Sequence, residues 1–308
     1  MSETIETIGT IEQAVPRYSF SAKMKRLHLF MTAACGLLFS VCVAGSLSGG
    51  ADSDWKVLVP AVGVLFPVSF LPSILWHDAG QHQKRDAALT LPWSVLLVAL
   101  IPWAAVLSGR LDMPLRDGLF ASMDRHLGFS VPSIVEWMST HSQIGAVLDH
   151  SYPLLFLLLP VAAVLPAAMG LSPTAERFLV ANTIAFLAAF PVFALLPAIG
   201  PWAGYHLTGT AEQRACEIAI ATIRTGHPAT GAGIVCFPSF HVVWAVLSAA
   251  ALWPIKPLRI PATILACLIV ISTVTTGWHY VVDSAAGLAL AGISLACAER
   301  FLRQSNKV

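Results

Sequence analysis

Long apolar runs separated by short polar segments dominate the pattern of hydrophobic positions along the chain. A helix that crosses the hydrocarbon core of a bilayer needs about 20 mainly apolar residues. Runs of that length predict eight spans, at 27–48, 55–76, 91–109, 152–171, 178–199, 238–254, 258–277 and 280–301. The expected fold is therefore all-α, a polytopic membrane helix bundle.

The composition supports this interpretation, since 56% of the 308 residues are hydrophobic and only 11% are charged. Soluble domains average about 25% charged residues. The formal net charge is +1, and no basic run occurs that would predict a nucleic-acid partner. The predicted environment of the chain is the membrane.

Lysine and arginine mark one side of the predicted bundle. They occur in the leader 1–26, in the tail after 301, and in three short loops that fall on the same side of an eight-span chain. Because short positively charged loops stay in the cytoplasm, both termini are predicted to be cytoplasmic. The two longest loops, 110–150 and 200–237, then lie on the extracytoplasmic side of a plasma (inner) membrane.

The same pattern divides the chain into three parts. Residues 1–26 are a cytoplasmic leader, 27–90 carry two accessory spans, and 91–308 form a six-helix core with the two outer loops. In the first of these loops, apolar residues recur at helical spacing, as at Leu119 and Met123. That spacing predicts a pair of amphipathic helices on the membrane surface.

Two of the six cysteines, Cys216 and Cys236, lie in the second outer loop. A disulfide between them can form in an oxidising compartment. Sequence spacing alone does not establish the required distance between the two Cα atoms. The paired and the reduced states therefore both stay open.

Two histidines interrupt the apolar pattern at the predicted outer boundary of the membrane. His241 opens the sixth span in CFPSFHVVWA, and His279 opens the eighth span in TTGWHYVVD. His279 and Asp283 are four residues apart, so a helix places them on one face. The carboxylate can then orient His279 as a nucleophile, while His241 serves as general acid and base. An aspartate inside a span is costly and indicates function.

These two segments resemble motifs of the type 2 phosphatidic acid phosphatase superfamily. PSFH at 238–241 is similar to its Pro-Ser-Gly-His motif, and ST-(five)-H-(three)-D at 272–283 is similar to its Ser-Arg-(five)-His-(three)-Asp motif. The resemblance extends over about 91–301. It implies that His279 attacks phosphorus, that Asp283 orients it, and that His241 protonates the leaving alcohol. It implies no metal and no other cofactor.

Several positions depart from the family pattern. The arginine of the third motif is Thr273, and the glycine of the second motif is Phe240. The first motif, Lys-(six)-Arg-Pro, aligns so that Phe193 and Gly200 stand where lysine and arginine are expected. The cationic phosphate clamp of the family is therefore missing from these positions.

Other segments, DRHLGF at 124–129 and RTG at 224–226, resemble the branch of inositol phosphorylceramide synthase-like bacterial membrane proteins. Without the clamp, other donors must stabilise the charge on the phosphate oxygens. The candidate substrate-binding residues are Ser239 at the start of the sixth helix, and Arg224 and His227 in the outer loop. Ser239 is equally a candidate N-cap residue.

The implied function is an integral membrane lipid phosphatase that acts on a lipid phosphate or phospholipid at the extracytoplasmic face through a phosphohistidine. A phosphotransferase that moves a phospho-head group to an alcohol, such as inositol or a glycan, fits the same residues. Two alternatives stay open. His241, His279 and Asp283 could instead ligate zinc. A chain without the clamp could also be a non-catalytic lipid-binding protein that kept the fold.

Overall fold

The structure, a computed structural model, describes residues 22–49, 63–64, 66–78, 80–225, 227 and 237–304. Within these ranges the chain forms helices and connecting segments and no strand, so the predicted all-α class is confirmed. The helices are α1 Ala22–Gly49, α2 Leu71–Asp78, α3 His82–Ala88, α4 Thr90–Gly109, α5 Asp117–His126, α6 Val131–Thr140, α7 Ser142–Ser151, α8 Leu155–Ala168, α9 Ser172–Leu195, α10 Pro201–Gly204, α11 Ala211–Arg224, α12 Phe240–Leu252, α13 Lys256–Thr275 and α14 Val281–Gln304.

Within the described residues, three helices, α9, α13 and α14, are long and apolar enough to cross a membrane. Helices α7 and α8 together form a fourth candidate span, which bends by 42° at a short break. Arg26–Ser40 within α1 and Phe240–Leu252 are shorter apolar helices. These helices indicate an integral membrane protein. The count of eight spans and the side on which the termini lie stay predictions.

Parts of the predicted organisation lie outside the described residues. Most of the leader falls there, as do the first half of the second predicted span and Cys236. A Cys216–Cys236 disulfide therefore lies outside the described residues, and both states stay open. The division of the chain at 26 and at 90 stays a prediction.

Helix α12 lies at the centre of the bundle and packs against α8, α9, α13 and α14. Its sequence FHVVWAVLSAAAL is apolar on almost every face, and a helix of that kind is buried on all sides. The buried apolar residues around it form the bundle core, which extends from Leu27 in α1 to Leu302 in α14.

The start of α12 lies very close to α14. A Cβ atom added to Gly287 would lie 2.6 Å from the carbonyl oxygen of Ser239. Glycine is therefore required for this approach, since any side chain would push the two helices apart. Gly292 in the same helix has open space around it.

A second, smaller hydrophobic cluster lies beyond the bundle, at the end where α12 and α14 begin. We call it the cap core; its buried residues are Phe120, Ala121, Ala198, Tyr280 and Val282. The Phe120 ring stacks on Phe237 with centroids 4.6 Å apart, and it contacts Tyr280 at 5.8 Å. Helix α5 is thereby attached to the chain segments that flank both predicted catalytic histidines.

The outer loop 110–150 differs from its predicted form, a helix pair on the membrane surface. It folds as three helices, α5, α6 and α7. Helix α5 does expose Leu119 and Met123, but its opposite face buries two carboxylates, Asp117 and Asp124. Residues at this spacing share one helix face, so α5 is held to the protein by a polar as well as an apolar surface.

Candidate active site

Ser239 and His241 are positioned by the N-terminus of α12. The Ser239 hydroxyl accepts a hydrogen bond from the backbone N–H of Val242 at 3.4 Å, as an N-cap residue does. The backbone N–H of Ser239 donates to the carbonyl oxygen of Asp283 at 3.1 Å. The first turns of α12 and α14 are thus joined directly, and His241 lies in the first turn of α12.

His279 is positioned by the short turn between α13 and α14. Gly277 has a φ of +74°, the left-handed conformation in which glycine commonly ends a helix. The carbonyl oxygen of Gly277 accepts a hydrogen bond from Gln213 Nε2 at 3.2 Å. The backbone N–H of His279 returns to the carbonyl oxygen of Thr273 at 2.9 Å. The turn is therefore held by α11 and by α13.

The three residues predicted to be catalytic come together at this end of the bundle. The rings of His241 and His279 have centroids 5.5 Å apart. His279 Nδ1 lies 3.5 Å from Asp283 Oδ2, and the same oxygen accepts the backbone N–H of Tyr280 at 3.0 Å. Asp283 is fully buried and His279 is 4% exposed, while His241 is partly exposed. With Nδ1 directed at the carboxylate, Nε2 is the nitrogen of His279 that is suited to react.

Asp124 of α5 holds the segment between His279 and Asp283. The sequence marked it only as the first residue of DRHLGF at 124–129, with no role assigned to it. Its carboxylate oxygens accept the backbone N–H groups of Val281 at 3.0 Å and Val282 at 2.9 Å. Asp124 therefore caps the N-terminus of α14 from a helix that is distant in sequence. Burial raises the pKa of the Asp124 carboxyl above its ordinary value, although these two hydrogen bonds oppose the rise.

Asp117 lies seven residues before Asp124 on the same face of α5 and makes a similar connection. Its carboxylate accepts the backbone N–H groups of Ile199 at 3.0 Å and Gly200 at 2.8 Å. The Tyr280 hydroxyl lies 3.0 Å from Asp117 Oδ1 and 2.9 Å from the carbonyl oxygen of Gly200. Burial raises the pKa of the Asp117 carboxyl as well, and its hydrogen bonds oppose the rise. The available sequence signal was two acidic residues on the same face of α5 as Phe120.

At the positions where the sequence differs from the family motifs, the residues pack closely against their neighbours. Gly200 has a φ of +150°, and a Cβ atom there would overlap the Trp202 ring. Thr273 is fully buried, and its hydroxyl lies 2.9 Å from that of Ser284. The Phe240 ring packs edge-on against Phe193 with centroids 5.8 Å apart. A long cationic side chain at these positions would need the surrounding structure to rearrange.

Arg224 and His227 lie at the end of α11 that is far from His279. Gln213, near the start of α11, contacts the 276–277 turn, and Arg224 follows eleven residues later, about 16 Å along the helix axis. Arg224 pairs with Asp112 at 2.6 Å and donates to the carbonyl oxygen of Met113 at 2.9 Å. His227 is exposed, and its ring lies 3.2 Å from the Thr225 hydroxyl. Their role in substrate binding stays a prediction.

Aromatic side chains surround His241, and the sequence analysis did not identify these either. Tyr152, at the break between α7 and α8, stacks on His241 with centroids 4.5 Å apart and an interplanar angle of 22°. Phe156 meets the same imidazole edge-on at 6.0 Å. Trp278 lies parallel to Tyr152 at 6.1 Å. No local sequence pattern identifies these contacts, because they depend on the bend between two helices.

The geometry can support acid–base and nucleophilic chemistry. It pairs an oriented imidazole with a second, more accessible imidazole. A search of the described part of the chain finds no group of three or more histidine, cysteine, aspartate or glutamate residues arranged to hold a metal ion.

Comparison with known proteins gives one family. Residues 119–297 match the family model described as the PAP2 superfamily. This segment covers more than half of the chain and includes His241, His279, Asp283 and Asp124, whereas Asp117 lies just before it. No curated protein and no solved structure matches the chain significantly.

Proposed function

Because the chain belongs to the PAP2 superfamily, we propose that it is a metal-independent, membrane-embedded enzyme that cleaves a lipid phosphate or phosphodiester through a phosphohistidine. One observation supports this most directly. His241 and His279, from different helices, lie with ring centroids 5.5 Å apart, and Asp283 lies against the Nδ1 side of His279. Nucleophile, orienting carboxylate and general acid are then all present.

In the first step, the lone pair on His279 Nε2 forms a bond to phosphorus, and the bond from phosphorus to the lipid alcohol oxygen breaks. That oxygen keeps the bonding electron pair and takes a proton from His241. Asp283 stabilises the positive charge on the phosphorylated imidazole. In the second step, water or an acceptor alcohol gives a proton to His241 and attacks phosphorus, which releases His279.

The phosphate oxygens must be stabilised without the usual cations. The first turn of α12 presents backbone N–H groups at the positive end of the helix dipole, next to His241. We assign the main phosphate contact to this turn, with Ser239 as its N-cap residue. Arg224 and His227 are further candidates from the sequence alone, and Arg224 already has two partners in Asp112 and Met113.

We further propose that the site faces the extracytoplasmic side of the plasma membrane. The support is the distribution of lysine and arginine, which puts the loops 110–150 and 200–237 opposite the positively charged segments. Both water and an acceptor alcohol such as inositol or a glycan could reach a site on that side. Hydrolysis and transfer share the first step and differ only in what attacks phosphorus in the second.

Phosphate release from a panel of lipid phosphates by detergent-purified protein tests the proposal, with a chelator present throughout. We expect His279→Ala to lower turnover by about 10³-fold or more. His150→Gln is the matched control, because His150 is exposed and its ring bonds within its own helix, 2.7 Å from the Ala146 carbonyl oxygen. It should keep full activity.

The other outcomes separate the alternatives. Activity that the chelator removes would contradict the phosphohistidine mechanism and favour the metal site. Wild-type protein that consumes lipid phosphate only when an alcohol is added would be a phosphotransferase. Folded wild-type protein that neither releases nor transfers phosphate would support the non-catalytic lipid-binding protein.

A further inference from the structure

The ring of Tyr152 lies closer to the His241 imidazole than the ring of His279 does, with centroids 4.5 Å apart against 5.5 Å. The Tyr152 ring lies nearly parallel to the His241 imidazole, at 4.5 Å and 22°, and its hydroxyl oxygen is 3.4 Å from His241 Nδ1. A hydroxyl above a stacked ring is out of line with the lone pair in the plane of that ring. The interaction is therefore mainly between the face of the phenol ring and the imidazole.

The break in the fourth candidate span puts Tyr152 at this position. Helix α7 ends at Ser151 and α8 begins at Leu155, with a 42° bend between them. The intervening Tyr152-Pro153-Leu154 is not part of either helix. Irregular backbone at the level of a membrane is tolerated where it is buried in protein or lines a cavity, and here it carries a side chain into the site.

The face of an aromatic ring attracts a cation through its quadrupole, and the attraction strengthens where water is excluded. His241 must carry a proton before the first step, and that proton makes the imidazole a cation beside a second histidine. The phenol ring is placed to favour the charged form. The Phe156 ring lies edge-on to the imidazole, at 85° with centroids 6.0 Å apart. It limits rotation of the imidazole from a second side.

Among the residues that the structure describes, few other ionisable groups face His241. His279 adjoins it from the α13–α14 turn, and Asp283 lies behind His279. Helix α8 carries no ionisable residue. The charged residues of α9 and α13 lie at the other end of α12, where Arg177 donates to the Ala250 carbonyl oxygen and Arg259 to that of Trp253. Glu299 of α14 lies at that end too, paired with Arg177.

From this geometry we propose that Tyr152 is a positioning residue for His241, whose ring holds the imidazole in place and stabilises its protonated, proton-donating form. The proposal rests on the proposed function for its role in turnover. Tyr152 belongs to none of the family motifs, since it lies at the break between α7 and α8. It supplies no atom to the reaction and acts through His241.

The first test compares Tyr152→Phe, which keeps the aromatic ring, with Tyr152→Leu, which replaces the ring with a smaller apolar side chain. Both are assayed on a lipid phosphate, whose alkoxide leaving group needs a proton, and on p-nitrophenyl phosphate, whose leaving group does not. We expect Tyr152→Leu to lose about tenfold in kcat on the lipid phosphate, with little change in KM or on the nitrophenyl ester. Tyr152→Phe should stay within about threefold of wild type on both substrates.

The pH profile of the same variants gives a readout that a merely structural role would not change. A general acid loses activity as it deprotonates, so the alkaline limb of kcat for Tyr152→Leu should move down by about 0.5–1 pH unit. An equal loss on both substrates with an unchanged profile would overturn the proposal, as would no loss on either. If the leucine variant is not monodisperse, Tyr152→Met replaces it.

A measurement without turnover separates this proposal from the proposed function. The titration of His241 can be followed by NMR in detergent-solubilised protein with ¹⁵N-labelled histidine, with the signal assigned by His241→Asn. We expect the His241 midpoint to fall by about 0.5–1 pH unit in Tyr152→Leu and to stay in Tyr152→Phe. An unchanged midpoint would refute the stacking role even if the enzyme proves to be a phosphatase.

Discussion

The bundle core consists of apolar side chains from the long helices. The cap core instead combines a few aromatic and small residues with hydrogen bonds that backbone N–H groups donate to two buried aspartates. Apolar burial is non-directional, so the bundle core determines which helices pack together. Hydrogen bonds are directional, so Asp117 and Asp124 determine where residues 199–200 and 281–282 lie. The helices therefore bring the histidines near each other, and the cap core fixes their final placement.

If this division is correct, substitutions in the cap core should reduce activity more than the accompanying loss of stability would predict. Substitutions at the contact between α12 and α14 should affect both regions.

Asp124→Ala should have the largest effect, because it leaves the backbone N–H groups of Val281 and Val282 without their acceptor. Each buried donor left unpaired costs about 1–3 kcal/mol, so we expect a loss of about 2–5 kcal/mol in stability and most of the activity. Thermal unfolding in detergent and the phosphate-release assay measure both. Asp149→Ala, at an exposed position in α7, is the control, and equal behaviour of the two variants would contradict the role of the cap.

Gly287→Ala tests the contact between α12 and α14. The added methyl group would lie 2.6 Å from the Ser239 carbonyl oxygen, and overpacking of this kind costs about 1–3 kcal/mol. Because Ser239 adjoins the turn that carries His241, activity should fall together with the melting temperature. Gly292→Ala, in the same helix with open space around it, should be neutral or stabilising. A neutral Gly287→Ala would show that α14 can shift freely.

Tyr280→Phe should have a moderate effect. It removes the hydroxyl near Asp117 and the Gly200 carbonyl oxygen and keeps the ring in the cap core, so the loss should be about 1 kcal/mol. Asp117 still accepts two backbone N–H groups, so we expect the activity to remain within a few-fold of wild type. A loss as large as that of Asp124→Ala, measured in the same unfolding and activity assays, would mean that the aromatic hydroxyl holds the network.

Arg224→Ala and Asp112→Ala should have the smallest effects. The pair is partly exposed, with Asp112 at 70%, and ion pairs of this kind contribute about 0–1 kcal/mol. We expect the two variants to lose equal, small amounts of stability and to keep the KM of wild type. An increase in KM confined to Arg224→Ala would support the sequence-based assignment of Arg224 to phosphate binding.

The fold class and the clustering of His241, His279 and Asp283 could be predicted because each leaves a local pattern in the sequence. A bilayer requires long apolar helices, and the spacing of His279 and Asp283 keeps them close together. The expected shared helical face was wrong, because His279 lies in the turn before α14 and only Asp283 lies on that helix. The contacts of Asp124 leave no such pattern, since its partners Val281 and Val282 are more than 150 residues away. The sequence also does not show that Gln213 contacts the turn before His279. That contact is what places Arg224, at the other end of α11, far from His279.

The hydrogen bond from the Ser239 N–H to the Asp283 carbonyl oxygen has a consequence for how the protein moves. It joins the two chain segments that carry the histidines, and Gly287 keeps those segments in contact just below it. The two imidazoles must then travel together in any conformational change. The path by which a lipid enters and an alcohol leaves therefore has to open between this unit and its neighbours, and not between the two histidines themselves.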